Sequence, residues 1–108
     1  MDLTGKTIVI TGAASGIGKA TALACAAAGA NVVLNDVDAD RLAAAVRETE
    51  ALQPGAAALG VAADIRDGDQ VARLFDAAVE RFGRIDGVFA NAGITGARMP
   101  VAELDFDS

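Results

Sequence analysis

The chain has 108 residues, with 9 basic and 15 acidic side chains, no histidine and a formal net charge of -6. Apolar residues make up 53% and charged residues 22%, which argues against disorder because there is ample apolar surface to offset ordering entropy. The few, dispersed Lys and Arg argue against duplex nucleic acid as a partner, and without histidine these residues can build neither a histidine zinc site nor a Ser-His-Asp triad.

Strand and helix signals alternate along the chain. Lys6 to Thr11 is a short β-branched run that suits a strand buried on both faces. Gly12 to Gly18 is a glycine-rich turn. Lys19 to Ala28 reads as an alanine-rich helix stopped by Gly29. Asn31 to Asp36 is a second buried strand. Asp38 is placed to cap a helix reaching about Leu52, with Leu42, Ala45, Val46 and Thr49 on one stripe and Pro54-Gly55 as its stop. Ala57 to Asp64 reads as a third strand. Asp67 with Gln70 three residues on resembles a capping box. The helix behind it carries Val71, Leu74, Phe75, Ala78, Val79 and Phe82 on one face and ends at Gly83. Ile85 to Ala90 is a fourth strand, and the tail from Ile94 to Ser108 follows no clear pattern.

This β-α-β-α-β-α-β order implies a parallel sheet with right-handed crossovers. The single cysteine, Cys25, cannot form an intrachain disulfide and suits a small core position on the first helix. The start lacks a basic segment followed by an apolar core, so it does not resemble a secretory signal. The longest uncharged run, between Lys19 and Asp36, is shorter than the ~20 apolar residues that span a bilayer. A soluble, cytoplasmic chain with no membrane contact is expected.

Two features carry chemistry. Thr11-Gly12-Ala13-Ala14-Ser15-Gly16-Ile17-Gly18 sits after the first strand and opens the first helix. Side chains there would block close approach of the backbone to a pyrophosphate, and some turn positions call for φ above zero. Free N–H groups and the helix dipole favour an anion at this point. A tight turn with no ligand is the bland alternative. Ser15 is either a donor to phosphate or a local cap. No Lys-Ser or Lys-Thr follows the last glycine, so this is not a Walker loop. Asp36 follows Gly18 by 18 positions, close to the ~20 expected of a carboxylate that accepts ribose hydroxyls. It would repel a 2′-phosphate, and neither Asn35 nor Val37 offsets that, so NAD is preferred over NADP. A solvated acid at a strand end is its plain alternative.

The glycine turn, Asp36, Asp64-Ile65 and Asn91-Ala92-Gly93 fall in an order that resembles the N-terminal half of the short-chain dehydrogenase/reductase family, in its compact single-domain branch. The resemblance implies a Rossmann-type doubly wound α/β fold with strand order 3-2-1-4. It implies that Gly12, Gly16, Ile17 and Gly18 shape the coenzyme turn, that Asp36 binds the adenosine ribose, and that Asp64 and Ile65 edge the adenine. Asn91 would brace the central sheet, with Ala92 and Gly93 beneath the coenzyme. Asp64 could equally cap the turn that follows it. Ala90 departs mildly from the family pattern, which often has a second asparagine there.

The family's active site resembles a Ser, Tyr and Lys set with Tyr and Lys four positions apart. This chain has no tyrosine, and its lysines are Lys6 and Lys19, so no catalytic residue carries over. The expectation is a single NAD-binding half-domain over residues 1–108, truncated and inactive by itself. It would come from an oxidoreductase that passes hydride between NAD(H) and an alcohol or carbonyl substrate. The alternative is a non-catalytic dinucleotide-binding or folding module. Strand four would be an open edge, leaving the chain marginal unless it self-associates or pairs with a complementing chain there.

Overall fold

Thr7–Thr11 (β1) is buried along its whole length, as its β-branched run requires of a central parallel strand. In the computed structural model, which describes residues 2–52, 57–91 and the backbone of 102–103, seven further elements follow. They are Gly16–Ala27 (α1), Asn31–Asp36 (β2), Ala39–Leu52 (α2), Ala58–Ala62 (β3), Gly68–Phe82 (α3), Gly87–Ala90 (β4) and Ala102–Glu103 (β5). The sheet order is β3-β2-β1-β4-β5, and the first four strands are parallel. This is the expected 3-2-1-4 Rossmann-type α/β arrangement. In the central register Ile8 lies between Val32 and Gly87, and Ile10 between Leu34 and Phe89.

Side-chain alternation along β1 and β2 divides the core in two. Ile8, Ile10, Val32 and Leu34 face one side, where they pack with Ala22, Cys25 and Ala26 of α1 and Leu42 and Ala45 of α2. Val9 and Val33 face the other, where they meet Leu74 and Ala78 of α3. The two-helix and one-helix faces are as right-handed crossovers dictate. The α3 stripe is covered unevenly: Leu74 and Ala78 are fully buried, whereas Val79 is 49% exposed.

Helix ends follow local chemistry. The Asp38 carboxylate accepts from Arg41 N at 3.1 Å. Asp67 accepts from the backbone N–H groups of Asp69 and Gln70, and Gly83 closes α3 at φ 79°. The capping box is incomplete, however. Gln70 Oε1 bypasses the Asp67 backbone and accepts from Asp64 N at 2.8 Å, while its Nε2 donates to Asp67 Oδ2. Pro54-Gly55, the expected stop of α2, lies outside the described residues.

Two expectations need correction. Helix α1 begins at Gly16 and not at Lys19, because Ser15, extended at φ -159°, turns the chain into the helix. The β4 edge is not fully open. Residues 102–103 pair antiparallel with it, Val88 opposite Glu103 and Phe89 opposite Ala102. Unpaired ladder groups on an edge strand readily take a passing segment of chain.

Candidate functional site

The carboxyl ends of β1, β2 and β4 meet at the turn that leads into α1, and the end of β3 lies alongside that of β2. Gly12 and Gly16 adopt φ 64° and 59°, conformations that a side chain strains. A Cβ on Gly16 would meet nothing within 4 Å, so its outer side is open. Gly18 is the reverse case. A Cβ there would sit 2.1 Å from Gly12 O and 2.9 Å from Asn91 Nδ2, so only glycine lets α1 close on the turn.

Ser15, Gly16 and Ile17 are exposed, Ile17 at 67%. Ser15 occupies the cap position, yet its hydroxyl makes no capping hydrogen bond, and the first turn holds no acidic residue. The first N–H groups of a helix have no intrahelical partner. Here they stand at the positive end of the helix dipole, and among the described residues the Ser15 side chain does not cap them. Lys19 does not lean over the turn, since it pairs with Glu48 of α2.

The other half of the turn is tied to β2. Ala13 N donates to Asn35 O at 2.8 Å, and Ala14 N to Asp36 Oδ2 at 3.1 Å. Asp36 is half-buried, and its Oδ1 accepts from Asp38 N at 3.1 Å. A carboxylate offers about four acceptor sites, so both oxygens retain capacity for hydroxyl donors.

Beside Asp36 lies a cleft of about 320 Å³ lined by Val37, Ala62, Ala63, Asp64, Arg66 and Gln70. Val37, Ala62 and Ala63 supply apolar wall and the last three a polar rim. Ile65 is half-buried between two of these lining residues. The Asp64 carboxylate accepts from Arg66 N at 2.9 Å and from its Nε and a terminal guanidinium nitrogen at 3.0 and 2.9 Å. The Arg66 fork holds the Asp64 carboxyl down at about 2, so it stays ionised at neutral pH.

Asn91 ends β4. Its N donates to Thr11 Oγ1 at 2.9 Å, and its Nδ2 reaches Gly12 O at 3.5 Å, which locks the end of β4 to the turn after β1. Gly12, Ser15, Gly16, Ile17, Gly18, Asp36 and Asn91 thus gather around one turn, and Asp64 and Ile65 flank the adjoining cleft. Ala92 and Gly93 lie outside the described residues.

Sequence reasoning missed three participants. Asn35 is 1% exposed and binds both the turn and the end of β3. Arg66 and Gln70 fix Asp64. Only Gln70 left a signal, the three-residue spacing from Asp67, which pointed to Asp67 and not to its bond with Asp64 N.

Comparison with known proteins agrees with this geometry. The short chain dehydrogenase family profile matches residues 6–108. Levodione reductase from Leifsonia aquatica is 44% identical over 97 residues, which are 90% of this chain and 36% of that protein. The crystal structure of levodione reductase superposes with a TM-score of 0.82, covering 91% of this chain and 38% of the other. A short-chain dehydrogenase/reductase from Burkholderia phymatum in complex with NAD is 45% identical with a TM-score of 0.80, over 87% and 33% of the two chains. L-sorbose reductase from Gluconobacter frateurii, complexed with NADPH and L-sorbose, is 37% identical with a TM-score of 0.81, over 87% and 35%. The chain thus spans little more than a third of the relatives it matches. In sequence and in fold, it belongs to the short-chain dehydrogenase/reductase family.

Proposed function

We propose that the chain is the NAD-binding portion of an oxidoreductase that passes hydride between NAD(H) and an alcohol or carbonyl substrate. The observation that carries this reading is the uncapped, glycine-shaped head of α1 standing next to a half-buried carboxylate at the end of β2. The turn has the open backbone a pyrophosphate needs, and it lies beyond the carboxyl ends of the strands where the strand order reverses, between β1 and β4.

In this reading the N–H groups of the first turn of α1, with the Ser15 hydroxyl, bind the two phosphates. Gly12, Gly16 and Gly18 keep the turn clear of side chains, and Ile17 covers the outer edge. The spare lone pairs of Asp36 accept the adenosine ribose hydroxyls. The Val37 and Ala62 walls take the faces of the adenine, with Asp64 and Ile65 at its edge. Asn91 holds the β4 end in place. The bound nicotinamide supplies the hydride chemistry.

NAD over NADP rests on charge. A 2′-phosphate at Asp36 would face a carboxylate, and the adjacent Val37 and Asp38 bring no cation. Of the nearby cations, Arg66 is forked onto Asp64 and Arg41 lies 3.6 Å from Asp38. Calorimetric titration tests both statements. We expect saturable NAD binding, with NADP at least about tenfold weaker. No heat with NAD at millimolar concentration would overturn the reading, and equal affinities would remove the preference.

The sequence contains no tyrosine, which favours a second reading for these 108 residues by themselves: coenzyme is bound and not turned over. Among the described residues no helix is long and apolar enough to cross a membrane. Turnover of any alcohol or ketone by the isolated chain would defeat the binding-only reading.

A further inference from the structure

We propose that Asn35 is a positioning residue of the coenzyme site, one whose carboxamide sets where the base cleft stands relative to Asp36 and the phosphate turn. The proposal rests on the dinucleotide reading above and adds a residue that never touches the ligand.

Asn35 follows Val32, Val33 and Leu34 in β2, and all four are buried. Its side chain lies on the same face as Val33, where an apolar residue would be the ordinary choice. A carboxamide buried to 1% exposure is costly unless its hydrogen bonds are made. Asn35 Nδ2 donates twice, to Val61 O at 3.0 Å and to Ala63 O at 3.1 Å. Those carbonyls straddle the end of β3, and Ala63 leads directly into Asp64. Ala63 and Asp64 both line the cleft.

The main chain of the same residue works in the other direction. Asn35 O accepts from Ala13 N, inside the phosphate turn. One residue therefore holds the base end through its side chain and the phosphate end through its backbone. Substitution removes the first link and leaves the second. A simple loss of packing would weaken both ends together, so the two roles can be separated.

The test compares AMP with inorganic pyrophosphate by calorimetry on the full 108-residue chain, unaltered and as Asn35→Ala. The expected result is AMP binding weakened about tenfold with pyrophosphate binding changed less than about twofold. Equal weakening of both ligands, or unchanged AMP affinity, would overturn the proposal. Should Asn35→Ala fail to fold, the side-chain amide resonances of Asn35 in the unaltered chain decide instead. They should move on AMP saturation and stay in place with pyrophosphate, and immobility under saturating AMP would overturn it. If the unaltered chain binds neither NAD nor AMP, the dinucleotide reading falls and takes this proposal with it. Normal NAD binding with an unselective Asn35→Ala defeats the proposal alone.

Discussion

The two ends of the sheet are finished in opposite ways. At the amino end Asp86 is 3% exposed, accepts from Thr7 N at 2.8 Å, and is gripped by Arg84 through Nε and a terminal nitrogen. Around it Leu3 N donates to Ala28 O, Asn31 N to Lys6 O and Asp86 N to Thr7 O, so backbone donors there are consumed. At the carboxyl end Ser15, Gly16, Ile17 and Val37 are exposed and α1 carries no side-chain cap. Asp64 receives the same kind of arginine fork as Asp86, but its side chain is 32% exposed against 1% for Asp86. Burial separates the roles. The Asp86 fork closes the fold, while the Asp64 fork shapes the rim of a cleft.

That contrast predicts that substitutions at the carboxyl end act on binding and those at the amino end on stability. The largest effect is expected from Gly18→Ala. Its Cβ would lie 2.1 Å from Gly12 O, and a backbone oxygen cannot step aside as a flexible side chain can. NAD binding should be lost in calorimetry, with a stability loss of about 1–3 kcal/mol in urea titration.

Asp86→Ala comes next and should do the reverse. It strands Thr7 N, releases Arg84, and should cost about 2–4 kcal/mol of stability while leaving NAD affinity unchanged. The pH dependence follows from the same pair. The Arg84 fork holds the Asp86 carboxyl below its ordinary value, against burial, which raises it. The native state then binds fewer protons than the unfolded chain in acid. The stabilisation is complete above the ordinary carboxylate range near pH ~4 and fades as pH falls through the lowered native value. Acid titrations followed by circular dichroism should show a shallower acid limb for Asp86→Ala than for the unaltered chain.

Asp36→Ala should narrow the preference for NAD over NADP by about tenfold, read from the ratio of the two dissociation constants. An unchanged ratio would remove Asp36 from the ribose site. Ser15→Ala is the smallest change. A working N-cap serine is worth ~1 kcal/mol, yet this hydroxyl makes no capping bond, so stability should change by less than about 0.5 kcal/mol. NAD binding should weaken about fivefold if the hydroxyl meets phosphate.

The sequence revealed what local rules govern. The β-branched runs located β1 and β2, the latter to its end residues, because buried parallel strands leave little else to read. Gly83 marked the end of α3 because few other residues take φ near 79° without strain. The glycine turn and Asp36 were visible because their spacing is short and their chemistry distinctive. What escaped notice depends on distant parts of the chain. Asn35 reaches carbonyls 26 and 28 positions away, and nothing in its neighbourhood announces that. The glycines that open α1 hid its first turn, since glycine is a poor helix former. Gly60, which weakens a strand pattern, proves to make room for α2, where a Cβ would lie 2.8 Å from Val46 Cγ2.

The measurement closest to the central claim is a nitrogen-15 amide spectrum of the chain titrated with NAD. Backbone amides at the head of α1, those of Gly16, Ile17 and Gly18, should shift progressively to saturation, while those of Thr7 and Asp86 at the amino end stay still. A spectrum in which the α1 amides remain unmoved at saturating NAD, or in which the amino end responds in their place, would contradict the account.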